Sequence, residues 1–142
     1  MRSSCGDQHL NKLVIIQKKI IRLIVNAEYS EHTPPLFQSL KLLKLRDMYT
    51  LEIAKFMYKC VIRDIPEPLS NIYTVTNRVH GHDTRQNEHF RPSISRLKSS
   101  TQSVLYKGPV IWNSIPSEII ETNNLQSFSY KIRISLLNNY VN

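Results

Sequence analysis

The feature that most constrains this chain lies near its start. Across residues 10–25, Leu10, Leu13, Val14, Ile20, Ile21 and Ile24 recur at steps of three and four. That is the period of one face of an α-helix, so an amphipathic helix is predicted over residues 10–25. Its other side carries Lys12, Lys19 and Arg22, with Lys18 next to them. Like charges stacked at i,i+3 and i,i+4 cost an isolated helix about 0.2–0.5 kcal/mol per pair. The stripe is therefore either a solvated face or a face directed at an anion. The run Leu13-Val14-Ile15-Ile16 is closed off by Gln17-Lys18-Lys19, far short of the roughly 18 apolar residues of a membrane span.

Further helices follow from local signals. Thr33-Pro34-Pro35 offers an N-cap hydroxyl and then proline at the first helical position, where a missing N–H is harmless. A short second helix is predicted over residues 34–40. A third is predicted over residues 45–62, with Asp47 in the first turn, where the macrodipole favours an anion. Its Met48, Leu51, Ile53, Phe56, Met57 and Tyr58 spread so widely around the axis that it must pack on more than one side. The prolines of Pro66-Glu67-Pro68 end it. Residues 73–106 are polar and irregular, with strands predicted at 84–87, 89–94 and 103–106. Gly108-Pro109 is expected to end the last strand and open a short helix through Trp112 and Asn113, which Pro116 closes. A final amphipathic helix begins near Asn124, a good N-cap, and buries Leu125, Phe128, Ile132 and Leu136 while Lys131 and Arg133 stay outside.

These signals describe a mainly α chain with a small antiparallel β patch and a C-terminal helix. The 142 residues suit one domain over 10–142 behind a disordered tail at 1–9. The N-terminus lacks the apolar core of a signal peptide, so a cytoplasmic or nuclear chain without a membrane role is expected. Cys5 and Cys60 are too few for a disulfide framework and read as free thiols. Nineteen Lys and Arg against eleven Asp and Glu leave a formal charge of +8, which makes an anionic partner the first expectation.

Catalytic chemistry finds little support. Asp7, Asp47, Asp64 and Asp83 are isolated, whereas a polymerase or nuclease clusters carboxylates around two divalent metals. Gly6, Gly81 and Gly108 open no phosphate-cradling loop. His80-Gly81-His82-Asp83-Thr84-Arg85, with His89, admits several readings: a metal site, a His-Asp pair activating Ser93 or Ser103, histidines that cap backbone or remain solvated, or contact with phosphates and base edges. The metal reading lacks a second paired half-site. No catalytic residue, metal or cofactor is expected. Between residues 78 and 107, six cations, Arg78, Arg85, Arg91, Arg96, Lys98 and Lys107, face two anions, Asp83 and Glu88. Phe90, Tyr106 and Trp112 are interleaved with them or follow closely. Basic groups and rings together suit a single-strand groove, although Tyr106 and Trp112, beside Gly108-Pro109 and Pro116, also suit a buried core.

Four blocks, in order, resemble the region that follows the catalytic palm in non-LTR retrotransposon reverse transcriptases of the jockey-like class. Ile16-Gln17-Lys18-Lys19-Ile20-Ile21-Arg22 resembles the thumb helix. His32-Thr33-Pro34-Pro35-Leu36-Phe37, with residues 42–49 and Lys55-Phe56-Met57-Tyr58-Lys59, resembles the next block. His82-Asp83-Thr84-Arg85-Gln86 and residues 106–116 resemble the last two, and Ser127-Phe128 opens the closing helix. The resemblance implies a thumb-like helical bundle over residues 10–64, a basic loop with short strands over 65–107, and a helical C-terminal region over 108–142. The implied parent is an RNA-directed DNA polymerase of a transposable element. Its fingers, palm, paired aspartates and endonuclease have no counterpart here, so a noncatalytic fragment is expected. The expected partners are RNA or an RNA–DNA duplex, with the palm as a further partner in a full-length parent. Expected nucleic-acid contacts are Lys12, Lys18, Lys19 and Arg22, with His82, Arg85, Arg91, Arg96 and Lys98 as a second surface. The alternative is an inert remnant or a helical protein-interaction module, in which the wide apolar face of the third helix would be partly exposed.

Overall fold

The computed structural model describes residues 5–69, 72, 73, 90–92, 101 and 103–140. Among them the chain is mainly helical: α1 is Cys5–Ile24, α2 Thr33–Ser39, α3 Leu45–Val61, α4 Val104–Asn113, α5 Ser117–Ile120 and α6 Leu125–Asn138, with a 3₁₀ turn at Glu67–Leu69. No strand occurs among the described residues. The strand predicted at 103–106 is corrected: Ser103 is the N-cap of α4 and residues 104–106 form its first turn. Pro109 lies inside this helix, where it removes one i→i−4 hydrogen bond. Burial of Gly108, Pro109 and Trp112 offsets that loss. The strand predicted at 84–87 lies outside the described residues, as does all of 89–94 except 90–92.

The chain packs as two compact units, Met1–Tyr49 with Tyr130–Asn142, and Thr50–Ser129. Residues 5–9 belong to α1 and not to the predicted tail.

In the first unit, Ile21, Phe37, Leu43, Ile132, Leu137 and Tyr140 are buried together with Thr33. The seam that α1 turns inward runs Leu10, Val14, Gln17, Ile21, which corrects the predicted stripe. Leu13, Ile20 and Ile24 are 54%, 49% and 60% exposed. Periodicity alone could not choose between two apolar rows on the same helix, and Gln17 decides between them. Its side-chain amide donates from Nε2 to the Leu43 carbonyl (3.0 Å), and its Oε1 accepts from the Leu45 N–H (2.9 Å). Leu45 opens α3, so one glutamine satisfies a helix N-terminal donor that has no intrahelical partner.

Three helices stop by the same device. After α1, Asn26 N–H bonds Leu23 O and Ala27 N–H bonds Arg22 O. After α2, Lys41 N–H bonds Gln38 O and Leu42 N–H bonds Phe37 O. After α3, Arg63 N–H bonds Cys60 O and Asp64 N–H bonds Lys59 O. Each is a Schellman pair closing around a left-handed residue. Those residues are Asn26, Lys41 and Arg63, with φ of 54°, 53° and 59°. Thus α3 ends at Val61, before the prolines expected to end it. At α2 the N-cap is His32, with no side-chain capping bond; Thr33 is already helical and buried, which corrects its expected role. Asn124 does cap α6, its Oδ1 accepting from Ser127 N–H at 2.8 Å. Phe128 and Ile132 are buried in α6, and Lys131 and Arg133 exposed, as expected.

In the second unit, α3 buries Ile53, Ala54, Met57 and Tyr58, while Leu51 and Phe56 are half-buried and Val61 is exposed, so its wide apolar face is covered only in part. Six rings meet in series: Phe56 with Tyr73 (centroids 6.3 Å apart), Tyr73 with Phe90 (5.8 Å), Phe90 with Trp112 (6.2 Å), Trp112 with Phe128 (5.9 Å) and Phe128 with Tyr58 (4.5 Å, stacked). Such pairs contribute about 0.5–1.5 kcal/mol each beyond the area they bury. Gly108 permits this packing, since a Cβ there would lie 2.7 Å from the Met57 sulfur and 2.8 Å from the Tyr73 hydroxyl oxygen. Of the two open readings of Trp112, the structure supports core.

Candidate nucleic-acid interface

On α1, Lys12, Lys18 and Lys19 are exposed and Arg22 is half-buried. Seven residues apart, Lys12 and Lys19 share one line along the helix; Lys18 and Arg22, four apart, share the adjacent one. Arg22 is engaged within the fold. Its Nε and Nη2 donate to the Glu31 carbonyl at 3.1 and 2.8 Å, and its guanidinium lies 5.6 Å from the Tyr29 ring centroid. It anchors the segment between α1 and α2 while keeping its charge. Lys18 makes no hydrogen bond or ion pair among the described residues, and its ammonium is available.

Lys18 and Arg22 line one cleft of about 630 Å³ within the first unit, whereas Lys12 and Lys19 lie outside its lining. Two further cations enter it from the start of α3, Lys44 and Arg46. Arg46 donates from Nη2 to Asn11 Oδ1 at 2.8 Å. The Lys44 ammonium sits 3.8 Å from the Tyr140 ring centroid, within range of an attractive cation–π contact. The Tyr140 hydroxyl accepts from Lys44 N–H at 2.9 Å and donates to the Asp47 carboxylate. Burial, and then that bond to Asp47, hold the hydroxyl well above its ordinary pKa, with the Lys44 amide acting in the opposite sense. Arg133 donates to the Lys41 carbonyl at 2.9 Å, tying α6 to the end of α2.

Sequence reasoning missed Lys44, Arg46, Gln17 and Tyr140. A weak signal existed for the first two, because Lys41, Lys44 and Arg46 fall within six residues. Nothing local announces that residue 140 will meet residues 44 and 47. Of the second predicted surface, Arg91 is exposed, next to Phe90, whose N–H and C=O are both bonded by the Asn113 side chain (3.1 and 2.8 Å). His82, Arg85, Arg96 and Lys98 lie outside the described residues, as do His80, Asp83 and His89. Among the described residues, no group of three or more His, Cys, Asp or Glu could hold a metal, and no helix is long and apolar enough to cross a membrane. Cys60 is a free thiol whose pKa is pushed up by burial, a backbone hydrogen bond opposing. No family model matches the chain, and no curated protein or solved structure is significantly similar to it.

Proposed function

We propose that this chain is a noncatalytic grip for nucleic acid, derived from the thumb region of a jockey-like non-LTR retrotransposon reverse transcriptase. It holds an RNA or RNA–DNA duplex by its backbone phosphates, with no direct reading of bases. The observation that carries this reading is the solvent-facing lysine set of α1, Lys12, Lys18 and Lys19, on a chain of net charge +8. In this reading catalysis belongs to the palm of a full-length parent. The cytoplasm or the nucleus is the compartment where such a partner is met.

Salt titration on an RNA–DNA duplex tests the phosphate mechanism. Each neutralised phosphate adds about 0.7–0.9 to the slope of log K against log salt, so three lysines give a slope near −2 to −3. The triple variant Lys12→Glu, Lys18→Glu, Lys19→Glu is expected to abolish binding with the helical circular dichroism unchanged. Arg22 is left intact, because its removal also releases the Glu31 carbonyl. A salt-independent affinity would end this reading.

A second reading, a helical protein-interaction module, is favoured by one observation: Leu13, Ile16, Ile20, Leu23 and Ile24 are 49–80% exposed along α1. Concentration-dependent light scattering with no duplex binding would favour it.

A further inference from the structure

The lysines of α1 and its uncovered apolar row form one pattern. Leu13, Ile16, Ile20 and Leu23 are 54%, 51%, 49% and 80% exposed, and they follow one another at steps of three, four and three. That is the a and d spacing of a coiled-coil seam, narrower than the face a helix turns toward its own core. The row is distinct from the inward seam of Leu10, Val14, Gln17 and Ile21, so α1 carries two apolar surfaces and its own fold uses one. With Leu13 taken as an a position, Lys12 and Lys19 occupy the two g positions beside the row, and Gln17 and Ile24 the two e positions. Both lysines are exposed. No acidic residue occurs between Asp7 and Glu28, so α1 itself offers the row's border no countercharge.

We propose that this row docks an acidic amphipathic helix of a partner protein, with Leu13, Ile16, Ile20 and Leu23 packed into the partner's apolar seam and Lys12 and Lys19 paired with its carboxylates. Charge decides the occupant. In an antiparallel pair g positions face g positions, so a second copy of this chain would set Lys12 and Lys19 against the same lysines. In a parallel pair g faces e, and the second copy would offer Gln17 and Ile24, neither of which carries a countercharge. Gln17 is also committed to Leu43 and Leu45. Carboxylates at the facing positions satisfy both lysines, and basic partners are rejected by like-charge repulsion. A nucleic acid would neutralise the lysines yet leave the row in water. A lipid surface suits the row less well, because α1 has no Trp or Phe to seat it at that boundary. Two heptads make a small contact, the kind that serves a reversible encounter. The inference rests on the second reading above, α1 as a protein-interaction surface, and does not depend on the grip.

Fluorescence anisotropy on the full chain tests the inference with two labelled helical peptides. Both carry Leu at every a and d position; one has Glu and the other Lys at every e and g. The acidic peptide is expected to bind about tenfold more tightly at low salt, two attractive pairs replacing two repulsive ones, and added salt should narrow the gap. Ile16→Ser with Ile20→Ser should weaken acidic-peptide binding about tenfold or more, as losing the central anchors of an interface does. Both positions are exposed, so helical circular dichroism should not change. Lys12→Glu with Lys19→Glu should reverse the preference toward the basic peptide, a result that misfolding cannot imitate. Equal binding of the two peptides overturns the acidic partner while leaving an interaction surface, and binding of neither overturns both. Self-association in sedimentation that Ile16→Ser with Ile20→Ser abolishes, without peptide binding, gives the row to a second copy and overturns the inference. Binding to vesicles of anionic phospholipid, without peptide binding, overturns it in favour of a lipid surface. Acidic-peptide binding without duplex binding supports the inference and removes the grip.

Discussion

Within residues 50–129, six aromatic rings meet in series from Phe56 to Tyr58; Tyr58, Phe90, Trp112 and Phe128 are buried, and Phe56 and Tyr73 half-buried. The other unit also has an apolar core, with Phe37 and Tyr140 in edge contact, and adds polar side chains that reach across the sequence: Gln17 to Leu43 and Leu45, Arg22 to Glu31, Arg133 to Lys41, and Tyr140 to Lys44 and Asp47. The contrast teaches where a ligand site can form. Buried rings that pack as densely as an organic crystal leave few voids between them. The unit whose elements are also joined by long-range side-chain hydrogen bonds keeps a cleft of about 630 Å³ that Lys18, Arg22, Lys44 and Arg46 line.

The sharpest way to break this comparison is Phe128→Ala. Phe128 is fully buried and touches both Tyr58 and Trp112, and a buried Phe truncated to Ala costs about 3–5 kcal/mol. Urea unfolding followed by Trp112 fluorescence, the only tryptophan, should register a loss in that range. A loss below about 1 kcal/mol would mean that the ring series does not hold the unit. A smaller effect is expected from Gln17→Ala, which leaves the Leu43 carbonyl and the Leu45 N–H without partners, at about 1–3 kcal/mol for a stranded buried polar group. Hydrogen exchange at the Leu45 amide, faster in the variant, would locate the damage.

The smallest effect separates the units by pH. Burial, with the negative charge of the neighbouring Cys60 thiolate adding to it, pushes the Tyr73 hydroxyl from 10.0 to about 12. The folded chain therefore holds this proton more tightly than the unfolded chain. The stabilisation is whole below pH 10 and drains away between pH 10 and about 12. Tyr140 shifts in the same direction for a partly different reason, the Asp47 carboxylate bonded to its hydroxyl. Tyrosinate absorbance during an alkaline titration should show both ionising late. Asp47→Asn is expected to bring Tyr140 down while leaving Tyr73 in place; a common response of the two would merge what the comparison separates.

Much of the helical framework was legible in the sequence, because α1, α3 and α6 advertise themselves through apolar spacing and Asn124 through its capping chemistry. Two kinds of information were not. Helix α4 carries Gly108-Pro109 in its middle, and local rules read that dipeptide as a stop; only the burial of Gly108 against Met57 and Tyr73, a contact across the chain, keeps the helix running. The packed seam of α1 was hidden for a related reason. Its centre is Gln17, a polar residue whose partners lie 26 and 28 positions away, so an apolar pattern could not mark it. The cleft was half legible: Lys18 and Arg22 stood out as neighbours on one helix, whereas Lys44 and Arg46 join them only once the start of α3 is in place.

The three left-handed helix stops bear on how this chain can change over time. Lys41 and Arg63 occupy a backbone conformation that every side chain except glycine enters at a cost, so these positions hold stability in reserve. A lineage could draw on it one substitution at a time, gaining tolerance for harmful changes elsewhere, with neither the ring series nor the cleft altered. A chain whose turns already used glycine would have no such slack to spend.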